Sequence, residues 1–369
     1  MRIIFLVPRF HTNMIGWCRG LRAIGVDVRL LVVGQGRIED HQEFEPVRIP
    51  LAAWQPFDYE GLDPAVRAYR LLPKLRAYWG LLRSLKPDVV IIRGLTPAYI
   101  LMALPVLLWS SKIMLYTQGS RLRKRGLMTW AKNTLLLTLC GGRWFTPVTG
   151  LGRGTANRDA SAKLWEDRRI KIIPFAHSVA KNIECRTWRE GSPRLLLIGK
   201  FEARKNHKLA VEALQFLDPA VRLTLVGECS NAQHERYLME VKELIRSVGL
   251  DARVTILTNV DHDQVSSIYS KHDIFLMISK SEPASVSHLE AMSHGLAVVI
   301  GRDNGTADYV QNGVNGYETE YDASEVADSI RSIVRQGVKL CGLQSLELVR
   351  RRHDERSLAT KILELSSAQ

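Results

Sequence analysis

Short apolar runs alternate with longer amphipathic stretches along the chain, the pattern of βαβ units around parallel sheets. In the first half this pattern predicts strands over residues 3–7, 28–33, 89–93, 113–117, 144–146 and 170–174. Helices are predicted from residue 12 to 24 and over residues 63–85. Together these elements indicate a first doubly wound α/β domain.

The alternation pauses at residues 177–193, which are polar and show neither the period of an amphipathic helix nor that of a strand. It then restarts. Further strands are predicted over residues 194–199, 222–227, 254–257, 274–278 and 297–300. We expect an N-terminal Rossmann-like domain over 1–176, a linker over 177–193, a C-terminal Rossmann-like domain over 194–352, and a last helix over 353–369. Whether that helix packs back on the first domain is left open by the sequence. In such folds ligands bind beyond the carboxyl ends of the strands, so a central cleft faced by both domains is expected.

The net charge of +13 is distributed unevenly along the 369 residues. Residues 1–180 hold 27 Lys and Arg against 12 Asp and Glu, a net charge of +15, whereas residues 181–369 carry −2. The excess indicates that the first half meets an anionic partner, such as nucleic acid, a membrane surface or a phosphorylated substrate. A merely solvated basic surface is the alternative.

The five cysteines are odd in number and widely spaced, without the spacing of a disulfide framework or a zinc site. A reducing compartment fits this usage best. The apolar run at residues 3–7 is too short for a secretory signal, and no apolar stretch reaches the roughly 18 residues of a membrane span. A cytoplasmic location is therefore expected.

Two glutamates, Glu282 and Glu290, flank the start of the helix predicted after the strand at 274–278. Pro283 suits the first helical position, so the helix is predicted to begin near it. A helix N-terminus offers free N–H groups and a positive dipole end to phosphate, and nearby carboxylates accept hydrogen bonds from sugar hydroxyls. Taken alone, each glutamate has a simpler structural interpretation. Glu282 would interact with the dipole at the helix N-terminus, and Glu290 would be a solvated helix residue.

This segment resembles the Glu-x7-Glu motif of retaining glycosyltransferases with the GT-B fold, specifically family 4. The resemblance extends over residues 260–274 before the motif and over 301–317 after it. Residues 199–207 are similar to the diphosphate-binding loop of that family, with Lys200 at the position of its Arg and Lys205 at the position of its Lys. The resemblance implies an enzyme that uses a nucleotide-diphosphate sugar.

The family's roles transfer to matching positions of this chain. Glu282 would hold donor-sugar hydroxyls, and Lys205 would neutralise the leaving diphosphate, which makes these two the implied catalytic residues. The residues implied to bind the nucleotide sugar are Gly16, Gln118, Gly119, Lys200, Lys205, Val260, Glu282, Ser285, Val286, Ser287 and Glu290. Two departures are visible: Ala284-Ser285 replaces a frequent Phe-Gly, and Gln118-Gly119 stands where many members have a His.

The resemblance also implies a mechanism. Transfer would retain the anomeric configuration, with the leaving phosphate helping to deprotonate the acceptor hydroxyl on the same face of the sugar. Two lysines and a helix end would take the place of a metal ion, since no Asp-x-Asp motif follows a strand. Neither a metal nor a cofactor is expected.

A basic cluster precedes an apolar, tryptophan-bearing helix predicted from residue 127 onward. Its cations are Arg121, Arg123, Lys124 and Arg125. This composition is typical of an interfacial contact with anionic lipid, although a phosphate-facing or solvated loop beside a buried helix is equally consistent with it. The first interpretation predicts a peripheral location on the inner face of the cytoplasmic membrane.

The leading hypothesis is a glycosyltransferase that extends a glycan or lipid-linked acceptor in cell-surface polysaccharide synthesis, such as lipopolysaccharide, capsule or a lipid-linked oligosaccharide. An epimerase or phosphorylase on the same fold is the nearer alternative. A non-catalytic polyanion-binding protein is the alternative from another class. Nucleic acid is not expected as a partner.

Overall fold

The computed structural model describes residues 1–10, 12–34, 43–55, 71–93, 105, 111–119, 122–124, 127–149, 164–181 and 183–367. These residues form two compact units. The first unit is drawn from Met1–Pro147, Ala162–Ala176 and Asp354–Gln369, and the second from Val148–Ser161 and His177–His353. The chain thus leaves the first unit and returns to it at the C-terminus.

The first unit is built on a parallel sheet of seven strands. They are β1 (Arg2–Val7), β2 (Asp27–Val32), β3 (Val47–Arg48), β4 (Val89–Arg93), β5 (Lys112–Tyr116), β7 (Trp144–Thr146) and β9 (Lys171–Ile172), with the order β3-β2-β1-β4-β5-β7-β9 across the sheet. The central strand β1 pairs with β2 on one side and β4 on the other. Its residues from Ile3 to Val7 are fully buried, as expected for a strand covered on both faces.

A separate two-stranded sheet, which the sequence does not predict, contains the other two strands found in the described ranges of the first half. Strand β6 (Leu122–Lys124) pairs antiparallel with β8 (Leu164–Glu166), and the two lie far apart in the chain. The sequence pattern places the residues of β6 in a basic loop. A three-residue strand with two charged positions lacks the apolar run on which strand prediction depends.

The second unit is built on a parallel sheet of six strands. They are β10 (Arg194–Ile198), β11 (Arg222–Gly227), β12 (Val254–Thr258), β13 (Ile274–Met277), β14 (Ala297–Gly301) and β15 (Gly316–Thr319), with the order β12-β11-β10-β13-β14-β15 across the sheet. Strand β10 lies beside β13, so the loops that follow these two strands leave the same edge of the sheet. That edge carries the candidate site.

Ten α-helices accompany the two sheets in the described ranges. They are α1 (Ile15–Ala23), α2 (Leu75–Leu85), α3 (Leu127–Leu139), α4 (His207–Leu214), α5 (Ala232–Ser247), α6 (His262–Ser270), α7 (Ser287–Ser293), α8 (Ala323–Gln336), α9 (Val338–Arg352) and α10 (Glu355–Ser367). None of these helices has the length and apolar composition that a bilayer crossing requires.

The prediction of two parallel α/β sheets is confirmed, but several local predictions were wrong. The helix predicted over 63–85 begins only at Leu75, while residues 56–70 lie outside the described part. Pro73 instead forms an antiparallel bridge with Leu51. The strand predicted over 170–174 is limited to Lys171–Ile172, because its partner β7 is itself only three residues long.

The final helix α10 packs on α1 within the first unit. A methyl group added to Gly20 of α1 would lie 1.9 Å from the carbonyl oxygen of Glu355, so only glycine allows this approach. Arg19 adds an ion pair with Glu355 at 3.7 Å. The C-terminal segment is thereby part of the first unit's structure.

The stretch at residues 177–193 is mostly irregular but is fastened to the second unit. Trp188 donates from its indole nitrogen to the carbonyl oxygen of Gly295 over 2.8 Å. The buried carboxylate of Asp273 accepts hydrogen bonds from the backbone nitrogens of Arg189 and Arg194. These bonds hold the stretch against the start of β10.

Candidate functional site

Two loops meet at the carboxyl edge of the second sheet, one after β10 and one after β13. The loop after β10 contains a 3-10 turn over Ala203–Lys205 and ends at Asn206, which has a left-handed backbone with φ of 58°. Asn206 donates from its side chain to the carbonyl oxygen of Ile278 over 2.8 Å. In return, the Lys280 amide donates to the carbonyl oxygen of Arg204 over 2.7 Å. These two bonds fix the loops against each other.

The centre of this edge is Glu282, whose residue is only 9% exposed. Its Oε2 accepts hydrogen bonds from Nζ of Lys205 at 2.7 Å and from Nη1 of Arg204 at 2.9 Å. Burial by itself would raise the pKa of Glu282, but the two cations more than offset it and hold this pKa below the ordinary value. Glu282 is therefore a charged carboxylate at neutral pH.

Arg204 was missed by the sequence analysis. Besides Glu282 it binds Oε2 of Glu202 through Nε at 2.9 Å. Burial opposes the charge of Arg204, whereas the two glutamates raise its pKa above the usual value. The signal was present in the sequence as a basic residue immediately before Lys205, but no spacing rule distinguishes it from a solvated side chain.

Lys200 lies in the same loop as Lys205 but faces a different carboxylate. Its Nζ is 3.4 Å from Oε2 of Glu228, which follows the neighbouring strand β11. The structure thus brings Lys205, and not Lys200, into contact with Glu282. Lys200 and Lys205 nevertheless belong to one loop at one edge of the sheet.

The helix after β13 begins later than predicted. It starts at Ser287 and not near Pro283, and it has only seven residues. The backbone of the intervening segment is held instead by a neighbouring loop, since the Gly305 amide donates to the carbonyl oxygen of Glu282 over 2.9 Å. A methyl group on Gly305 would lie 2.0 Å from the carbonyl oxygen of Pro283, which explains the glycine. Glu282 therefore lies in the loop before the helix and not at its N-terminus.

Three residues expected near the diphosphate sit at this helix start. The hydroxyl oxygens of Ser285 and Ser287 are 2.9 Å apart, and both approach the sulfur of Met277 at the end of β13. Val286 is the residue immediately before the helix, and its carbonyl oxygen accepts from the Glu290 amide at 2.9 Å. The hydroxyl pair tightens the turn that leads into the helix.

Glu290 is held by a buried tyrosine that the sequence analysis did not identify. The hydroxyl of Tyr269 lies 3.0 Å from Oε2 of Glu290 and 3.1 Å from the carbonyl oxygen of Ser287, both of them acceptors for its one proton. Burial first, and Glu290 second, raise the pKa of Tyr269 well above its usual value. Tyr269 therefore remains a neutral donor that orients Glu290.

Val260 lies after the edge strand β12 and is partly buried. The preceding Asn259 has a left-handed backbone, with φ of 52°. Its side chain exchanges two hydrogen bonds with the backbone of Cys229, at 2.8 and 3.1 Å. This arrangement fixes the loop that carries Val260.

The remaining predicted residues belong to the first unit. Gly16, implied by the resemblance to bind the nucleotide sugar, is buried in the first turn of α1, where a methyl group would lie 1.9 Å from the carbonyl oxygen of Ala176. The glycine is thus explained by packing. Gln118 and Gly119 follow β5, and Gln118 accepts a hydrogen bond from Arg93 at 2.5 Å.

The structure describes only part of the basic cluster that was proposed to contact a membrane. Arg121 and Arg125 lie outside the described residues, as do the side chains of Arg123 and Lys124. Within the described ranges, no group of three or more His, Cys, Asp or Glu side chains is arranged to hold a metal ion.

The chain is similar to known proteins in sequence and in fold. Residues 179–342, which carry the whole loop cluster around Glu282, match the family described as "Glycosyl transferases group 1". This part of the chain is thus similar to a glycosyl transferases group 1 domain, and the two parallel sheets have the GT-B fold.

Two curated relatives are similar over part of their length. The chain is 28% identical to the mannosylfructose-phosphate synthase of Agrobacterium fabrum over 135 residues, which are 35% of this chain and 30% of that protein. It is 22% identical to the Caenorhabditis elegans GDP-Man:Man(3)GlcNAc(2)-PP-Dol alpha-1,2-mannosyltransferase over 267 residues, or 67% of this chain and 54% of that protein. The chain thus spans about a third to a half of the length of these relatives.

Among solved structures, Anabaena HepE in complex with UDP and glucose resembles the whole chain, with a TM-score of 0.67. The sequences are 16% identical, and all of both chains is covered. At this identity the likeness shows the fold alone.

Proposed function

We propose that this protein is a retaining glycosyltransferase of family 4, which transfers a sugar from a nucleotide-diphosphate sugar to a glycan or glycolipid acceptor. The observation that carries the proposal is the contact of Lys205 and Arg204 with the buried Glu282. A second carboxylate, Glu290, stands eight residues further on and is oriented by Tyr269. The matched family and the UDP and glucose bound by HepE support a nucleotide-sugar donor.

The cluster suits the chemistry of a leaving diphosphate. Lys205 is preorganised by Glu282, so its charge is in place before the sugar–phosphate bond lengthens. Glu282 uses Oε2 for both cations, which leaves Oε1 to accept from hydroxyls of the donor sugar. Glu290 would bind the ribose hydroxyls, with Ser285, Val286, Ser287 and Lys200 near the diphosphate and Val260 near the base.

The proposed reaction uses only the chain's own residues and the two substrates. The oxygen of the acceptor hydroxyl attacks the anomeric carbon from the face that the diphosphate leaves, and the bond between that carbon and the phosphate oxygen breaks. The hydroxyl proton passes to the leaving phosphate, and the anomeric configuration is retained. Lys205 offsets the charge that develops on that phosphate. We propose that neither a metal ion nor a cofactor takes part, which activity in the presence of EDTA would test.

The proposed acceptor is a cell-surface glycan or a lipid-linked saccharide, such as a lipopolysaccharide, capsule or lipid-linked oligosaccharide precursor. The dolichol-linked acceptor in the name of the Caenorhabditis elegans relative supports this class. So does the excess of positive charge in residues 1–180, because such acceptors commonly carry phosphate.

Helix α3 supports a peripheral membrane contact from the cytoplasmic side. It exposes a set of large apolar side chains to solvent: Leu127 at 80%, Met128 at 87%, Trp130 at 51% and Leu135 at 60%. The basic segment from Arg121 to Arg125 precedes it directly in the sequence. Exposed apolar residues next to cations are suited to the boundary between lipid headgroups and acyl chains.

The test is a thermal-shift panel of UDP-, GDP- and ADP-sugars on the wild-type protein. One nucleotide sugar is expected to raise Tm, because a ligand that binds only the folded state stabilises it. Lys205→Met should abolish the shift, and Lys242→Gln, at an exposed lysine on α5, should retain it.

The same experiment distinguishes the alternative functions. A shift with no subsequent transfer to any acceptor would favour an epimerase. Phosphate-dependent cleavage of a glycan would favour a phosphorylase, and polyanion binding with no nucleotide-sugar shift would favour a binding protein.

A further inference from the structure

A buried arginine, Arg93, ends strand β4 in the middle of the first sheet. The residue is 6% exposed, and β4 lies between β1 and β5 in the sheet order. Arg93 is therefore at the carboxyl edge of three adjacent parallel strands. In open α/β sheets, this edge is where ligands bind.

The surroundings of Arg93 satisfy only part of its guanidinium. Nη2 donates to Oε1 of Gln118 over 2.5 Å, and the guanidinium carbon is 5.7 Å from the ring centre of Tyr116. Nη1 of Arg93 and Nε2 of Gln118 are both buried, and neither finds a hydrogen-bond acceptor in the described part of the chain. Two donors are thus left at the same place, on side chains already bonded to each other.

The charge of Arg93 is likewise without a counter-ion among the described residues. Burying an unpaired charge costs several kcal/mol in general, so an isolated buried arginine indicates an anionic partner. This position differs from the cations of the second unit, since Lys205 and Arg204 are paired with Glu282 and Lys200 with Glu228.

The sequence around Arg93 contains no acid that would neutralise it locally. Between Asp88 and Asp159 the chain has no aspartate or glutamate at all. Arg9 follows β1, the neighbouring strand, and its buried Nε also has no acceptor within the described ranges. The carboxyl edge of β1, β4 and β5 is thus cationic and rich in unused donors.

We propose that Arg93 and Gln118 form a binding site for an oxyanion, a phosphate or carboxylate group, that the acceptor carries. The guanidinium fork is matched to such a group, and Nε2 of Gln118 supplies a further donor. The role assigned to Gln118 by family resemblance, contact with the donor sugar, is replaced in this proposal. The link to the acceptor rests on the proposed glycosyl transfer, whereas the anion site does not.

The test is a calorimetric titration of the full-length protein with sodium phosphate at constant ionic strength. Wild type is compared with Arg93→Gln and with Lys112→Gln, an exposed lysine at the opposite end of β5. Each titration is repeated in the presence of UDP, GDP and ADP at saturating concentration, so that phosphate bound at the proposed donor site is displaced and only binding elsewhere is measured. We expect at least tenfold weaker phosphate binding in Arg93→Gln and no change in Lys112→Gln. Equal binding by the two variants would overturn the proposal.

Two additional variants keep the result decisive if Arg93→Gln does not fold. Arg93→Lys should retain part of the binding, and Gln118→Leu should weaken it by removing Nε2 while leaving the arginine. Unchanged phosphate binding in Gln118→Leu, together with an unfolded Arg93→Gln, would mean that Arg93 is structural and the proposal wrong. A protein that binds none of UDP, GDP and ADP would refute the proposed donor site, but the phosphate comparison would still decide the Arg93 site.

Three competitors that could displace bound phosphate distinguish between the possible classes of acceptor. A hexose 6-phosphate, a hexuronate and vesicles with anionic headgroups are each added to wild type and to Arg93→Gln. Competition that depends on Arg93 identifies a phosphorylated, a uronate-bearing or a lipid acceptor respectively. Competition by none of the three in wild type would contradict the assignment to an acceptor.

Discussion

Lys205 donates from Nζ to Oε2 of Glu282 over 2.7 Å, although the two residues are 77 positions apart in the chain. The contact arises because β10 and β13 are neighbours in the sheet and their following loops are tied to each other. Lys205 and Glu282 are each only 11–12% exposed at the side chain, so the pair is shielded from solvent. We therefore expect local stability to depend on this contact.

Replacing Lys205 should destabilise the protein more than replacing Arg204. Lys205→Met leaves the buried Glu282 with one partner, and breaking such a buried pair costs about 3–5 kcal/mol. Arg204→Gln should cost about 1 kcal/mol or less, because the Arg204 side chain is 45% exposed and screened by water. Urea unfolding measures both, with Lys242→Gln as the matched control. Equal losses in the two variants would show that Lys205 is not the main partner.

The stabilising effect of ionised Glu282 should disappear in acid. Its pKa is lower in the folded protein than the ordinary value of 4.5, so the charged form contributes stability above that pH and the contribution is lost as the pH falls through the folded pKa. The difference in free energy of unfolding between wild type and Glu282→Gln should be largest near pH 7. It should decline below about pH 4.5. A difference that stays constant from pH 7 into the acid range would mean that the ionisation of Glu282 contributes nothing.

Two helical glycines of the first unit should respond in opposite ways to alanine. Gly20→Ala forces α1 away from the Glu355 carbonyl of α10 and should destabilise by about 1–3 kcal/mol. Gly80→Ala on α2 meets no atom within 4 Å and should stabilise by about 0.5–1 kcal/mol. Chemical unfolding of both variants checks this pair, and the absence of a loss for Gly20→Ala would show that α10 is not tightly seated on α1.

Helix α3 should carry membrane binding if the protein is peripheral. In flotation with anionic liposomes at low salt, wild type should float, and the double variant Met128→Glu, Trp130→Glu should not. Met239→Glu, at an exposed apolar residue on α5, is the control and should float like wild type. Wild type remaining at the bottom of the gradient would contradict the proposed membrane contact.

The strands were predictable because buried parallel strands are nearly continuous apolar runs, as in β4 and β11, whose bounds agree with the prediction. The ends of elements that are set by long-range contacts were not predictable. The start of α7 was misplaced because Pro283 suits a helix start, whereas the Gly305 amide and carbonyl of Glu282 hold that segment out of the helix.

The candidate site was predictable only in part. Glu282 and Glu290 were expected from the resemblance to a Glu-x7-Glu motif, and Lys205 from the resemblance of its loop to a diphosphate-binding loop. Arg204, Tyr269 and Arg93 were missed, since their significance lies in partners that are distant in sequence, or in the absence of a partner among the described residues. No sequence pattern around a single basic or aromatic residue predicts such contacts.

The most direct test of the proposed site separates the two glutamates in one kinetic experiment. Transfer from the nucleotide sugar that stabilises the protein is measured together with the affinity for its nucleoside diphosphate. Glu282→Gln should lower kcat by about 100-fold with the nucleoside diphosphate bound nearly as well, because the proposed role of Glu282 is to hold hydroxyls of the donor sugar. Glu290→Gln should instead weaken the binding of the nucleoside diphosphate. Full transfer activity in Glu282→Gln, or unchanged nucleotide affinity in Glu290→Gln together with unchanged kcat, would contradict the proposed site.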